Sequence, residues 1–441
     1  MPNAPIPPQN VVTELERHIL VDGFKLVVDL EHSKGCRFID AATGRELIDL
    51  YSFYASMPLG FNHPALDEPK AQAALHRAAR TKVANADVYS VEYATFVRTF
   101  FRVMGLPPLE RLFFVDGGAL AVENALKTAM DWKVRKNIAA GRGERGTDVL
   151  HFDQAFHGRS GYTLSLTNTD PRKTDYFAKF PWPRVTAPRL DFSLPIKERE
   201  SKVVLDEARA EADVRRVFQE RPHDVCAIII EPIQGEGGDH HFRGEWLQTL
   251  RRIADEQDAL LIFDEVQSGM GLTGKRWACE HFDVCPDLLS FGKKAQVCGV
   301  MAGPRIDEVR DNTFRLPSRI SSTWGGNFTD MVRSTIYLEV IEREHLIDNA
   351  RDVGAYFLES LEETAREFPI VSQVRGRGLM LAFTLPDRAT RDRFWTGCYE
   401  VGLLTVRCGE RSIRLRPVLD IASSDVDDAI AMIREECRRI R

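Results

Sequence analysis

The chain has 441 residues, 44% hydrophobic and 28% charged, with a formal net charge of −6. Its length exceeds the roughly 100–200 residues usual for one domain, so at least two structural units with a sizeable core are expected. Charge without long single-sign runs gives no electrostatic case for nucleic acid or an anionic membrane, and apolar runs such as 225–230 and 259–263 are too short to cross a bilayer.

The opening "MPNAPIPPQN" has neither a basic segment nor an apolar one. It therefore reads as a flexible lead-in rather than a signal peptide, and a cytoplasmic location is the default expectation. Eight cysteines (Cys36, Cys226, Cys279, Cys285, Cys298, Cys398, Cys408 and Cys437) are scattered without a Cys-x-x-Cys pair. Reduced packing residues are expected, and no metal site.

In chain order, strands are predicted at 24–31 and across 36–50, the latter turning at Thr43-Gly44. Short apolar runs ending in polar or glycine residues follow: "RLFFVDGG" (111–118), "DVLHFDQAF" (148–156), "DVCAIIIEPI" (224–233), "ALLIFDEV" (259–266) and "DLLSFG" (287–292). Between them, 121–137 and 244–258 repeat apolar residues at three-to-four spacing, as helices do. Strands apolar on both faces, alternating with helices, predict an α/β fold with a mostly parallel sheet covered on both sides. From about residue 335 a long amphipathic helix (350–368) and strands at 378–385 and 412–419 predict a smaller α+β unit. The division expected is an N-terminal segment, 1–70, contributing to the small domain, a large domain, 71–335, and a C-terminal small domain, 336–441.

Ligands of open parallel sheets bind at the carboxyl ends of strands, so the polar strand ends are read together. "FVDGGALAVENALK" (114–127) places glycines between a strand and a helix, where backbone N–H groups can hold a phosphate. Alone, it is equally well a tight turn. "IFDEVQSG" (262–269) ends a buried strand in two carboxylates, which are costly unless paired or solvated. "FHGRSGYT" (156–163) offers an aromatic for stacking and an arginine for a carboxylate. Two further patterns are decoys. "GMGLTG" (269–274) matches a dinucleotide fingerprint in form, yet five residues separate it from the strand and no helix pattern follows. Asp239, His240 and His241 in "EPIQGEGGDHH" lack metal-ligand spacing and read as a glycine-rich loop.

In "FGKK" (291–294) two lysines leave a buried run. A solvated turn is the commoner role for such a pair. Desolvation at a strand end, however, lowers a lysine pKa and frees the neutral amine as a nucleophile. Lys293 follows Asp264 by 29 positions, about one strand–helix–strand unit, so both can face one cleft. A lysine for a Schiff base, an acid for a pyridinium nitrogen, an amide-rich phosphate cradle and a stacking aromatic are the parts of a pyridoxal phosphate site.

At this point the chain resembles the class III (ω-amino acid) aminotransferases of fold type I. "IFDEVQSG", "FGKK", "FHGRSG", "EPIQGEGG" and "STWGGN" (322–327) stand in that family's order. The longer strings "FFVDGGALAVENALK" and "FGKKAQVCGVMAG" resemble its lysine-specific members. The resemblance implies a large domain with a seven-stranded-type sheet, pyridoxal 5'-phosphate as cofactor, and transfer of the ε-amino group of L-lysine to 2-oxoglutarate. It implies Lys293 as the Schiff-base lysine and proton shuttle, Asp264 on the pyridine nitrogen, Gln267 near the phenolic oxygen and Phe156 stacked on the ring. Gly118 and Ala119 would bind the phosphate, with Thr323 reaching it from the neighbouring subunit of a homodimer. Arg159 would serve the distal carboxylate and Arg414 the proximal one, with Glu236 pairing with Arg414 when lysine is bound. Without the resemblance, Arg414 and Arg416 read as an exposed strand face. Tyr54 and Ser321 depart from the pattern, which leaves another ω-amino donor, such as ornithine or a modified lysine, as an alternative. Lys294 has no implied role. A scaffold that keeps the fold without catalysis is the alternative of a different class.

Overall fold

The computed structural model describes residues 5–440, so the first four residues of the proline-rich lead-in lie outside it. Its centre is a seven-stranded sheet in the spatial order Arg111–Val115, Cys298–Ala302, Leu288–Phe291, Leu260–Asp264, Val225–Ile230, Asp148–Phe152 and Arg184–Val185. Every residue of Val225–Ile230, Leu260–Asp264 and Leu288–Phe291 is buried. Helices cover both faces, and a strand buried on both sides is apolar at successive positions rather than at alternate ones. Cys298–Ala302 alone runs antiparallel to its two neighbours.

The helices carry the complementary pattern. Gly244–Glu256 turns Trp246, Leu247, Leu250, Ile253 and Ala254 into the core, an apolar stripe at helical spacing. Gly118–Ala139 is apolar on more than one side and buries eleven residues, as a helix packed between layers must.

Two smaller sheets lie beyond. Ser372–Arg377, Met380–Thr384, Ser412–Leu415 and Val406–Cys408 form an antiparallel sheet in that order. Arg37–Ile39 and Glu46–Asp49 form a hairpin whose second strand pairs in parallel with Leu403–Leu404, so the two ends of the chain share one sheet.

Two predicted strands differ from what is observed. Residues 24–31 contribute only an isolated bridge, Val28 to Asp40. Two backbone bonds flank that bridge, Asp29 N–H to Ile39 O at 2.9 Å and Ala41 N–H to Val27 O at 2.7 Å, while Phe24 packs among Tyr51, Trp395 and Tyr399 and Val27 N–H donates to the Asp40 side chain at 3.0 Å. The strand predicted over 412–419 stops at Leu415 because the following backbone turns to the N-terminal segment. Arg416 N–H donates to Leu50 O and Leu419 N–H to Pro58 O, both at 2.8 Å.

Lys294 joins these layers. It is 2% exposed, and its Nζ donates to Met57 O at 2.6 Å and to Pro417 O at 3.2 Å. Burial pushes its pKa down to about 7, opposed by the carboxylate of Asp420. Lys294→Met would leave two carbonyls without their donor, at a cost of about 2–4 kcal/mol. Above the folded-state pKa of about 7 and up to the usual lysine value of 10.5, the unfolded chain binds the extra proton, so wild-type stability gains as pH rises. Urea unfolding should therefore show a lower midpoint for the variant, with a gap to wild type that widens from pH 7 to pH 9.

Candidate active site

The parallel pairing of Leu260–Asp264 with Leu288–Phe291 sets Ser290 opposite Asp264. Both strands end at the same edge, so the residues after them emerge side by side. Asp264 is 5% exposed, and its Oδ2 accepts from His157 Nδ1 at 2.8 Å while Oδ1 accepts from Val266 N–H at 3.1 Å. His157 is itself buried, and its Nε2 has no protein partner. Glu231 closes the back of this group, accepting from Phe156 N–H and Gly235 N–H, both at 3.0 Å. Burial pushes the Glu231 carboxyl up to about 7, against the pull of His157 and with the push of Asp264.

Lys293 follows extended Gly292 with φ of +49°, a conformation uncommon outside glycine and typical of functional turns. Burial, helped by the positive charge of Arg414 and opposed by the fields of Asp264 and Glu231, lowers its pKa to about 8. The group can thus be a neutral amine near physiological pH.

Across the cleft begins helix Gly118–Ala139, with Gly118 and Ala119 half-buried. Its first backbone bond to a carbonyl is made by Ala121, which leaves the amides of Gly118, Ala119 and Leu120 at the positive helix end. A Cβ at Gly118 would lie 2.9 Å from Val266 Cγ1, and one at Gly158 would overlap Ala119, so glycine lets the three loops close on each other. The cradle thereby meets both the Asp264 loop and the His157 loop.

Gln267 is gripped by two arginines. Its Oε1 accepts from Arg414 Nη1 at 3.0 Å and from Arg416 Nε at 3.1 Å, leaving its amide N–H groups to donate elsewhere. Arg414 and Arg416 are 5% and 1% exposed, so the exposed strand face that pattern alone suggested does not hold. Arg416 pairs with Asp239, also buried, which accounts for that loop aspartate without a metal. His240 and His241 form a short ladder with Ile233–Gln234.

Other residues stand apart from the expected arrangement. Glu236 does not pair with Arg414: its Oε1 accepts from Thr169 Oγ1 at 3.1 Å and pairs with Lys173. The Lys173 ammonium also lies 5.5 Å from the centre of the Phe156 ring. Arg159 is exposed just before the helix Gly161–Leu166. Thr323 and Ser321 are exposed on a segment anchored by Asn85 N–H to Trp324 O at 3.1 Å. Tyr54 is 55% exposed and meets the Tyr51 ring edge-on at 4.7 Å. Sequence reasoning missed the roles of His157, Glu231 and Lys173. "FHG" and "EP" contain the first two, but only the fold brings them to Asp264.

These residues fit pyridoxal phosphate. Free helix-end amides suit its phosphate, the buried Asp264 carboxylate suits a protonated ring nitrogen, and an amine of lowered pKa suits its aldehyde.

Comparison with known proteins agrees. The family model for class-III aminotransferases matches residues 21–436. L-lysine-epsilon aminotransferase of Mycobacterium tuberculosis is 52% identical over 433 residues, 98% of this chain and 96% of that one. The Streptomyces clavuligerus enzyme of the same name is 50% identical over 428 residues, covering 96% of this chain and 93% of its own. A solved structure of lysine aminotransferase from M. tuberculosis in the internal aldimine form superposes with a TM-score of 0.96 at 50% identity, covering 99% of this chain and 100% of that one. With the family pattern spanning almost its whole length and half of its residues shared with these relatives, the chain belongs to the class III aminotransferases.

Proposed function

We propose that this chain is a pyridoxal phosphate-dependent aminotransferase that moves the ε-amino group of L-lysine to 2-oxoglutarate. Its products are L-glutamate and 2-aminoadipate 6-semialdehyde, which cyclises to 1-piperideine-6-carboxylate. The observation that carries this reading is the 52% identity over 98% of the chain to L-lysine-epsilon aminotransferases, at a site where a lysine of lowered pKa faces a buried carboxylate.

Bound pyridoxal phosphate supplies the electron sink that stabilises negative charge at the reacting carbon and carries the amino group between two half-reactions. The chain's own groups do the rest. With the cofactor bound, the Lys293 amine would take a proton from the ε-carbon of the donor and pass it to the cofactor within the same half-reaction, and in the second would carry a proton the other way, to the keto carbon of the acceptor. Asp264, oriented by His157, presents negative charge to the ring nitrogen. Gln267, its oxygen fixed by Arg414 and Arg416, offers amide protons to the phenolic oxygen. The amides of Gly118 and Ala119 hold the phosphate, joined by Thr323 of the neighbouring copy in a homodimer, and Phe156 stacks on the ring. That Thr323 is exposed and lacks a bond to its own chain's site supports such sharing.

Both substrates must bind at one place. Arg159 serves the distal carboxylate, Arg414 the proximal carboxylate of 2-oxoglutarate, and Glu236 covers Arg414 when the apolar chain of lysine lies against it. A buried arginine left facing methylene groups would be costly, which makes such an exchange necessary. Tyr54 tunes the fit of the donor. No helix is long and apolar enough to cross a membrane among the described residues, and the enzyme is assigned to the cytoplasm without a nucleic-acid partner.

Visible spectra of the holoenzyme test the reading. The cofactor band should disappear on adding L-lysine and return on adding 2-oxoglutarate. A band indifferent to L-lysine would discard the donor, and Lys293→Ala should show neither the covalent band nor turnover. Since the neutral amine captures the aldehyde, uptake of pyridoxal phosphate by the apoenzyme should quicken with pH and level off above about 8, short of the usual lysine value of 10.5. His157→Phe should lower kcat by about 10–100-fold, the usual penalty for losing a group that orients a site residue. Retention of full kcat would remove His157 from the mechanism.

A further inference from the structure

Pro171–Lys173 is a single turn of 3-10 helix begun by Asp170, whose Oδ1 accepts from Arg172 N–H at 3.0 Å. The same carboxylate binds the Arg172 guanidinium at 2.7 Å, which fixes the direction in which Lys173 leaves the turn. Its ammonium then pairs with Glu236 and lies over Phe156. Thr169 donates to the same glutamate oxygen at 3.1 Å. Both donors come from residues 169–173, so Glu236 is drawn to one side of the cleft.

Arg414 occupies the other side. It is 5% exposed, spends Nη1 on Gln267 and has no protein partner for Nε. Glu236 is within its neighbourhood: adjacent Gly235 packs so closely on Gln267 that a Cβ there would lie 2.5 Å from Oε1, the atom on which Arg414 rests. One carboxylate therefore has two cationic claimants. The Lys173 side chain is 31% exposed, so its pair with Glu236 is screened and exchangeable. Arg414 offers a buried, less screened partner.

We infer that Lys173 is a positioning residue that sets the resting state of this exchange. It holds Glu236 off Arg414, so that the unliganded site is ready for a dicarboxylate acceptor, and the amine donor must draw Glu236 away from it. This rests on the assignment of 2-oxoglutarate as acceptor made above. Without the Lys173 charge, Glu236 moves to Arg414 and competes with the acceptor's proximal carboxylate.

The test uses the holoenzyme and glutarate, a dicarboxylate without a keto group, whose Kd is read by calorimetry independently of turnover. Lys173→Met should raise the glutarate Kd and the 2-oxoglutarate KM by about fivefold, while the L-lysine KM stays level or falls. In a Glu236→Gln background the same Lys173→Met change should leave the glutarate Kd unaltered, and Lys173→Arg should behave as wild type. An equal rise in KM for donor and acceptor, or a penalty that persists in the Glu236→Gln background, would overturn the inference. Failure of wild-type holoenzyme to bind glutarate would overturn the acceptor assignment and this inference with it.

Discussion

The register of two neighbouring parallel strands governs the rest of the site. With Ser290 paired to Asp264, the chain emerges from both strands at one edge, and Asp264, Gln267 and Lys293 share a cleft although they are far apart in sequence. A slip of one residue would turn each strand's side chains to the opposite face. The slip is prevented because both strands are buried on both faces among helices, and Leu288–Phe291 is also fixed by its antiparallel partner Cys298–Ala302. Rigid strands set the position of the chemistry, while the loops after them supply it.

A second constraint is the burial of charge. Arg414, Arg416, Asp239, Asp264, Glu231 and Lys294 are all nearly inaccessible, and isolated ions in such places would be prohibitively costly. All but Arg414, which rests on the neutral Gln267 amide, are answered locally. Arg416 meets Asp239, Asp264 meets His157, Glu231 takes two backbone amides, and Lys294 takes two carbonyls. The arrangement also has a chemical result. Burial does most to lower the Lys293 pKa, and the arginines that pin Gln267 add to it, so the same cations orient one group and help shift another.

Legibility in the sequence followed physical scale. The strands around Val225–Ile230, Leu260–Asp264 and Leu288–Phe291 announced themselves because burial on both faces demands unbroken apolar runs. Arg184–Val185 did not, since two residues carry no period, and Cys298–Ala302 holds a glycine that blurs a strand signal. Asp264 and Lys293 were readable as polar ends of such runs. Arg414 was not readable as buried, because "SIRLRPVL" alternates like a half-exposed strand and only tertiary packing covers both sides. The pairing of Glu236 with Lys173 was not legible for a different reason. Lys173 lies 63 positions upstream in an irregular segment, where no periodicity signals a meeting across the cleft.

The turn at Ser52–Ala55 shows how the N-terminal segment enters the site. Four consecutive residues have φ of +39°, +50°, +58° and +68°, and left-handed helix costs about 1–2 kcal/mol per residue outside glycine. Such strain persists only where the surroundings over-determine it. Here Asp49 Oδ1 accepts from Tyr51 N–H and Ser52 N–H, both at 2.8 Å, and Ser52 Oγ donates to Arg416 O at 2.5 Å. The turn buries its small ends, Ser52 and Ala55, while Phe53 and Tyr54 remain 40% and 55% exposed. Packing of the two large aromatics alone does not account for so costly a conformation. It is anchored to the backbone of Arg416, and the neighbouring Tyr51 phenol lies in the field of Arg414. The strain therefore keeps Tyr54 edge-on against Tyr51, so a turn fixed to the Arg416 backbone presents an exposed aromatic beside a phenol that feels the Arg414 charge.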